Sequence, residues 1–391
     1  MKIKKIFQSV VHRNPAFFSS FPAVSTLPDG RLMAVFRRAP NYCRMPGIAE
    51  DNVFHLDYNS KLMAAYSYDG GKSWSEPELL FAPFDGACQD GGIFCDGEYV
   101  FVNSFVWGYI PERVANALKE SGKDEFLIGR RPHPDWLTAV PYGGVMLRRE
   151  VKQKEWDRPV HPEPLPDGSE VLPGKPRLMH NRGNICRGID GSLLWAGEYY
   201  SYRNGFHASC VLYCSTDNGK TFQYLSTPAP DHGIGIYEEP FLYITPAGKY
   251  VMLIRCHRDD KTGEKFERAM LYTSESVDGG KSWSPVKNSG IHAEPAAAQC
   301  LANGKCLLCY GYRLEPFGVR CRVCDAELEN IAGAEEFIIR DDGGRIDTGY
   351  PWITPLGNHR YFVIYYNNNI CHKGAGGVEG TVLEIIEKEE K

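Results

Sequence analysis

The most regular feature of the chain is a pair of apolar segments joined by a short polar turn. The clearest copy, YEEPFLYITPAGKYVMLIR, covers residues 237–255 and contains a strand pattern, a Pro-Ala-Gly turn and a second strand pattern. Six copies occur, and, when the clearest one is counted from Glu239, their first residues are Phe21, Asp90, Arg182, Glu239, Glu294 and Tyr350. The last four are spaced by 55 to 57 residues. Paired strands at this period are typical of a β-propeller with one copy per blade. The sequence therefore predicts an all-β fold, a six-bladed β-propeller formed by residues 1–391 as a single domain.

Two departures from the repeat predict how the ring closes and where it is enlarged. Residues 2–8 alternate like a strand but have no partner in the first copy, so we expect them to form the outer strand of the last blade. The second copy is oversized, and its excess falls at residues 109–138. Helix-forming residues there lie between Pro111 and Gly122, which are typical of a helix start and a helix end. We predict a short helical insertion in the second blade. It is either a cap over the active-site face or an insertion without a functional role.

A second motif, Ser-x-Asp-x-Gly-x-Ser/Thr-Trp/Phe, occurs at residues 67–74, 215–222 and 276–283. Its Asp and Gly favour a tight hairpin turn, and its final aromatic residue is expected to pack back between blade strands. The motif therefore supports the fold and gives no direct information about activity.

Composition limits the partners and the compartment. A net charge of −5 and an isoelectric point near 6.2 argue against nucleic acid or an anionic membrane as partner. The chain has no apolar run of transmembrane length. Thirteen cysteines without a secretory pattern favour the cytoplasm, and secretion stays open if a signal peptide precedes this sequence. Nothing in the composition indicates an oligomeric state.

The sequence predicts no cofactor and no metal. Two cysteine pairs, Cys306 with Cys309 and Cys321 with Cys324, have the spacing of zinc ligands. Both pairs fall in strand patterns, where residues three apart point to opposite faces, so we expect buried core thiols.

The first residues of the six copies are the first candidates for a functional site. The innermost strands of a propeller line its central channel, so these six side chains should cluster at one mouth. Five of the six are polar or ionisable, whereas a purely structural channel would favour small or apolar residues. We therefore expect Asp90, Arg182 and Glu294 to contribute to a binding site there. A structural ring of ion pairs around water is the alternative.

The three turn motifs on a six-bladed propeller resemble the Asp boxes of the sialidase superfamily, and the resemblance covers nearly the whole chain. It implies that Tyr350 is a nucleophile and that Glu239 takes its proton. It also implies that Asp57, ten residues before the first turn motif, acts as the acid/base, with Asp51 as the second match. Asp90 and Glu294 have no clear counterpart in the family, and either could replace Asp57.

The same resemblance implies a set of arginines around the acid group of the substrate. Arg255 follows Glu239 by sixteen residues, as the family requires, and either Arg313 or Arg320 supplies another arginine. One departure concerns the first strand, where the family has Arg-Ile-Pro and this chain has Ser-Phe-Pro at residues 20–22. Arg37 and Arg38, at the end of the next strand, could supply positive charge from another direction.

Together these residues predict a glycoside hydrolase acting on a sialic-acid-like or other acidic sugar at a terminal bond. A neutral phenol with a pKa near 10 is a weak nucleophile, but a carboxylate within hydrogen-bonding reach can take its proton during attack. Two alternatives stay open. One is a propeller lyase acting on a uronate-containing glycan, and the other is a carbohydrate-binding propeller without catalysis.

Overall fold

Alternating side chains around each polar turn form antiparallel sheets, and six such sheets make up the propeller in the computed structural model. The structure describes residues 1–42, 55–128, 136–180, 182–201, 206–232, 235–258, 264–368 and 376–386. Asp51, the second match for the acid, lies outside these residues. The six-bladed architecture predicted from the repeat is confirmed.

Blades one to five are each built from consecutive strands of the chain, which begins with β1 (Lys2–His12). Blade one consists of β2 (Phe17–Thr26), β3 (Leu32–Pro40), β4 (Lys61–Ser67) and β5 (Glu78–Phe81). Blade two consists of β6 (Gly86–Cys88), β7 (Gly92–Cys95), β8 (Tyr99–Pro111) and β9 (Leu137–Glu150), and β8 pairs with the other three. A separate hairpin follows, β10 (Glu170–Leu172) and β11 (Lys175–Pro176).

Blade three consists of β12 (Ile185–Arg187), β13 (Leu193–Ser201), β14 (His207–Ser215) and β15 (Gln223–Ala229). Blade four consists of β16 (Tyr237–Ile244), β17 (Tyr250–Arg258), β18 (Lys265–Ser276) and β19 (Lys287–His292). Blade five consists of β20 (Ala296–Cys300), β21 (Cys306–Tyr312), β22 (Gly318–Cys324) and β23 (Glu336–Arg340). Blade six consists of β24 (Gly349–Gly357), β25 (Arg360–Asn367), β26 (Gly377–Ile386) and, as its outer strand, β1.

The ring closes by pairing the two ends of the chain. Strand β1 runs antiparallel to β26, with Lys2 opposite Ile386 and His12 opposite Val378. The predicted closure by the N-terminal strand is confirmed, and the strand extends further than residues 2–8. The last blade, which carries Tyr350, therefore depends on both ends of the chain.

The three turn motifs share one set of hydrogen bonds. In the first, Asp69 Oδ1 accepts the backbone N–H groups of Lys72 and Ser73 at 3.0 Å each, and Asp217 and Asp278 do the same in their own turns. Gly71 has φ +90°, and a Cβ there would lie 2.5 Å from the Phe362 ring of blade six. The turn therefore locks blade one against its neighbour, which is the structural role expected of the motif.

The insertion of blade two contains one short helix, α1 (Glu112–Glu120), so a short helical insertion is confirmed. The helix follows Pro111 and is terminated near Gly122, which has φ +67°. The two ends of the predicted insertion, residues 109–138, belong to strands instead. Strand β8 ends at Pro111, and strand β9 begins at Leu137. Residues 129–135 lie outside the described residues.

The hairpin of β8 and β9 extends past the start of its own blade. The inner strand β7 begins at Gly92 opposite Asn103, and β8 continues for eight more residues beyond that pair. The extension lies on the face where the inner strands begin, which is the face of Tyr350. Helix α1 packs back on this hairpin through Ala115, in a cluster with Ile110 and Val140. The insertion thus lies beside the channel mouth, and its role as a cap stays a prediction.

No helix in the described ranges is long and apolar enough to cross a membrane.

Candidate active site

Three inner strands share an unusual backbone where they enter the channel. Phe21, Glu239 and Tyr350 have φ values of +52°, +51° and +53°, and the strand register shifts at each of these positions. A proline follows each residue and cannot donate to the ladder, which suits a bulge. A left-handed non-glycine residue in a strand costs on the order of 1–3 kcal/mol, and such strained residues cluster at functional sites. The bulges turn these three side chains towards one another.

Tyr350 and Glu239 form the centre of the site, although 111 residues separate them. The Tyr350 hydroxyl donates a hydrogen bond to Glu239 Oε1. Arg255 Nη1 donates to Glu239 Oε2 at 2.6 Å and to the Tyr350 hydroxyl at 3.2 Å. The predicted contact between the tyrosine and the glutamate is therefore present, with Arg255 bonded to both.

The surroundings set the protonation of this pair. Burial opposes ionisation of Glu239, but the charge of Arg255 and the hydrogen bonds from Arg255 and Tyr350 outweigh it, so the pKa of Glu239 lies below its usual 4.5. Burial and the neighbouring Glu239 charge raise the pKa of Tyr350 well above 10. Near neutral pH the pair is a phenol hydrogen-bonded to a carboxylate. This is the state that a nucleophile and its base need before reaction.

Arg255 is surrounded by carboxylates. Besides Glu239, its Nη2 donates to Glu294 Oε2 at 2.9 Å, and its Nε lies 3.6 Å from Glu238 Oε1. His257 Nε2 lies 2.7 Å from the same Glu238 oxygen. Arg255 therefore contacts three carboxylates, one of which, Glu239, is bonded to the Tyr350 hydroxyl.

A second network lies behind Tyr350. Arg313 donates through Nε to the Thr348 carbonyl at 3.2 Å, and its Nη2 lies 3.6 Å from Asp347 Oδ1. Asp347 also accepts from the Tyr366 hydroxyl and lies 3.3 Å from His55 Nε2. The Arg313 guanidinium lies 5.3 Å from the centre of the Tyr350 ring. Of the two arginines left open by the sequence, Arg313 is the one at the site.

The ring of Tyr350 is held between aromatic and cationic neighbours. The Phe21 ring lies edge-on at 4.8 Å between ring centres, and the Tyr366 ring lies at 5.5 Å. The Arg182 guanidinium lies 4.2 Å from the Tyr350 ring centre. Four of the six residues that begin the sequence copies therefore meet at one point, as the repeat predicted: Phe21, Arg182, Glu239 and Tyr350.

The residues described so far around Tyr350 form one cluster. The two aspartates proposed as acids lie at its edge. Asp90 Oδ1 accepts the backbone N–H of Phe105 at 3.1 Å, and its charge acts on Arg182. Asp57 is buried, and its Oδ1 accepts the backbone N–H of Asn59 at 2.7 Å. Its charge acts on the buried Arg37, whose Nη2 donates to the His55 carbonyl at 3.1 Å. The charge of each carboxylate thus acts on a buried arginine, without an ion pair between Asp90 and Arg182 in the described part of the chain.

Two predicted arginines lie elsewhere, which corrects the sequence analysis. The Arg38 guanidinium lies 4.4 Å from the ring centre of Phe17, because neighbouring residues of a strand point to opposite faces and Arg37 takes the inner one. Arg320 lies within strand β22 and donates to the carbonyls of Arg340 and Pro316 in its own blade. Neither guanidinium reaches Tyr350.

The structure adds Glu198, a buried residue of β13 that no motif pointed to. Its carboxylate accepts the backbone N–H of Glu239 and the hydroxyl of Tyr200. Burial, and then the charges of Glu238 and Glu239, raise the pKa of Glu198 well above its usual 4.5. Glu198 positions the left-handed backbone that carries Glu239. Only its place in the GEYY segment of β13, the second strand of blade three, could have drawn attention to it.

A pH-dependent stability difference should reveal Glu198. A carboxyl group with a raised folded-state pKa gives its full stability below the unfolded pKa near 4.5 and loses it as pH rises through the folded value. Glu198→Gln removes the charge at constant size, so its melting temperature relative to wild type should increase between pH 4.5 and 8. Thermal unfolding across that range measures the difference. The exposed Glu76→Gln is the control, and a pH-independent difference for Glu198→Gln contradicts the assignment.

The cysteines follow the strand pattern. Cys306 pairs with Cys324 and Cys309 with Cys321 across β21 and β22, and the two pairs belong to clusters on opposite faces of the sheet. The four sulfurs therefore do not converge. Within the described ranges, no group of three or more His, Cys, Asp or Glu residues is arranged to hold a metal ion.

Comparisons with known proteins agree with the architecture. A protein of unknown function from Dyadobacter fermentans is 31% identical, with a TM-score of 0.86 over 98% of this chain and 99% of that one. The NanB sialidase of Streptococcus pneumoniae is 15% identical, with a TM-score of 0.59 over 97% of this chain and 70% of that one. An α-L-arabinofuranosidase of Fusarium graminearum is 13% identical, with a TM-score of 0.54 over 98% and 97%. No protein-family model and no curated protein sequence matches the chain.

The fold is thus the six-bladed propeller that sialidases and an arabinofuranosidase share, at identities that show the fold alone. The chain belongs to the family of the Dyadobacter fermentans protein, whose function is unknown.

Proposed function

We propose that this protein is a glycoside hydrolase in which Tyr350 is the nucleophile and Glu239 its base. The observation that carries the proposal is the hydrogen bond from the Tyr350 hydroxyl to Glu239, at the mouth of the propeller channel. A phenol bonded to an ionised carboxylate, with a guanidinium 3.2 Å from its oxygen, is the arrangement of an activated nucleophile and is typical of a functional site.

The reaction follows from these contacts. The Tyr350 oxygen forms a bond to the anomeric carbon while the bond to the leaving oxygen breaks, and Glu239 takes the phenolic proton. An acid gives a proton to the leaving oxygen, and then takes one from a water molecule. The oxygen of that water forms a bond to the anomeric carbon while the bond to the Tyr350 oxygen breaks, and Glu239 returns the proton to Tyr350. Arg255 contacts both Glu239 and the Tyr350 oxygen, so it stabilises the negative charge that moves between them.

We assign the acid role to Asp57. The sialidase resemblance supports this choice, and Glu294 is less suited because both its oxygens are already engaged, by Arg255 and by the backbone N–H of Ala269. Asp90 is the alternative. The charge of each aspartate acts on a buried arginine, so an experiment is needed to choose between them.

Leaving-group dependence tests the acid. Asp57→Asn should lower kcat/KM by about 100-fold or more for alkyl glycosides and by less than about 10-fold for dinitrophenyl glycosides, whose leaving group needs no proton. Asp90→Asn is the matched control and should affect both substrates equally. A leaving-group dependence in Asp90→Asn and none in Asp57→Asn would transfer the acid role to Asp90.

We further propose that the substrate is an acidic sugar, a sialic-acid-like sugar or a uronate. The Arg182 guanidinium, 4.2 Å from the centre of the Tyr350 ring, supports an anionic group in the substrate. Product analysis on aryl glycosides and uronate oligosaccharides tests the reaction. A reducing sugar indicates hydrolysis, an unsaturated uronate absorbing in the near ultraviolet indicates a lyase, and unchanged glycan indicates a binding protein.

A further inference from the structure

We propose that Arg182 alone binds the carboxylate of the sugar, in place of the arginine that sialidases carry in blade one; this rests on the proposed function. Phe21 occupies the blade-one position, and its ring packs on Tyr350. The Arg182 guanidinium lies 6.0 Å from the Phe21 ring centre and 4.2 Å from that of Tyr350. A guanidinium therefore reaches the nucleophile from blade three.

Arg182 differs from the other two arginines beside Tyr350 in having no anionic partner. Arg255 contacts three carboxylates, and Arg313 has Glu294 and Asp347 at 3.6 Å each. In the described part of the chain, the Arg182 side chain makes no hydrogen bond and has no carboxylate within ion-pairing distance. The residue is 8% exposed, and its Nη1 is a buried donor without an acceptor.

A buried cation without a partner is costly, so the protein retains it for a reason other than stability. Burial lowers the pKa of the Arg182 guanidinium, and the charges of Asp90 and Glu239 oppose this shift from a distance. A carboxylate of the ligand would supply the missing acceptor, in the planar two-point geometry that a guanidinium favours. The arrangement fits a sugar with one carboxylate held by one residue, since the other arginines are already neutralised.

The melting temperature of the ligand-free protein distinguishes Arg182 from an arginine that stabilises the fold. Replacing a paired, buried arginine lowers the melting temperature, because carboxylates lose their partner. Arg182→Gln removes an unpaired charge, so the melting temperature should stay the same or rise without ligand. A fall of several degrees would show that Arg182 holds the fold.

Binding measurements test the ligand. Isothermal titration would use sodium glucuronate, galacturonate and N-acetylneuraminate, each against its neutral methyl ester, which keeps the sugar and removes the charge. At least one acid should bind wild type about 10- to 100-fold more tightly than its ester, the effect of a charge-assisted hydrogen bond in a buried site. Arg182→Gln should abolish this preference and leave ester binding unchanged, and Arg182→Lys should keep part of it.

Arg38→Gln is the matched control, because Arg38 lies outside the cluster, and it should keep the full preference for the acid. The proposal fails if Arg182→Gln keeps the preference, if acid and ester bind equally, or if none of the three acids binds. Arg182-dependent binding without hydrolysis of any glycoside would refute the hydrolase and leave this assignment standing. Tyr350-dependent hydrolysis that is limited to neutral glycosides would support the hydrolase and refute Arg182 as the carboxylate-binding residue.

Discussion

Replacing Tyr350 by Phe should lower kcat by at least about 1,000-fold while leaving the fold and sugar binding intact. The change removes the nucleophilic oxygen at nearly constant volume, so the reaction loses its covalent step. The cost to stability should be about 1 kcal/mol, from the hydrogen bonds to Glu239 and Arg255. Steady-state kinetics on an aryl glycoside and thermal unfolding measure the two effects.

The matched control is Tyr361→Phe, which removes a hydroxyl at the far end of the same blade, bonded to the backbone N–H of Ala302. It should retain full activity. Glu239→Gln should lower kcat by about 100- to 10,000-fold, and the double variant should be little worse than Tyr350→Phe alone, because both residues serve one step. Wild-type turnover by Tyr350→Phe would remove the tyrosine from the chemistry, and Asp90 with Glu294 would then be the pair to examine.

Replacing Arg255 by Met should lower the free energy of unfolding by about 3–5 kcal/mol near neutral pH. The variant leaves the buried Glu294 and the largely buried Glu238 and Glu239 without the cation that they surround. Arg255 holds the pKa of Glu239 down in the native protein, so this stabilisation is present above the unfolded pKa near 4.5 and is lost as pH falls through the folded value. The difference between wild type and variant should therefore shrink as the pH is lowered.

Denaturant unfolding at pH 7.5 and pH 4 measures this effect. Arg38→Met is the control and should cost less than about 0.5 kcal/mol, because Arg38 has no carboxylate partner in the cluster. Adding Glu294→Gln to Arg255→Met should restore part of the lost stability, since it removes one of the stranded charges. A loss below about 1 kcal/mol in Arg255→Met would mean that water reaches these carboxylates in place of the arginine.

The fold could be predicted because its signals are local and repeated. Each blade carries the same strand–turn–strand phrase, and the turn residues Asp69, Asp217 and Asp278 make the same hydrogen bonds wherever the motif occurs. The meeting of Tyr350 with Glu239 could also be predicted, since the start of every inner strand reaches the same channel. The repeat thus predicts positions that are far apart in sequence and adjacent in space.

What the sequence could not predict depends on side-chain direction and charge pairing. Arg313 and Arg320 are both plausible by spacing, and only the backbone of the β21–β22 hairpin decides between them. Glu198 has no motif, because its role is to bind a backbone N–H whose direction follows from the bulge at Glu239. Arg182 stands out only after the partners of every other site arginine are known. These features depend on the assembled ring.

The closure of the ring by β1 and β26 has a consequence for how the protein is made. A ribosome synthesises β1 before its partner β26, which follows more than 360 residues later, so the outer strand of the last blade waits until the strands between them have been made. Contacts this distant in sequence form slowly, and an unpaired strand edge invites association with other chains. Tyr350 belongs to the blade that is completed last, and Glu239 to a blade completed before it. A nascent chain therefore holds the base before the nucleophile is in place, and the site is assembled only after β26 has been synthesised.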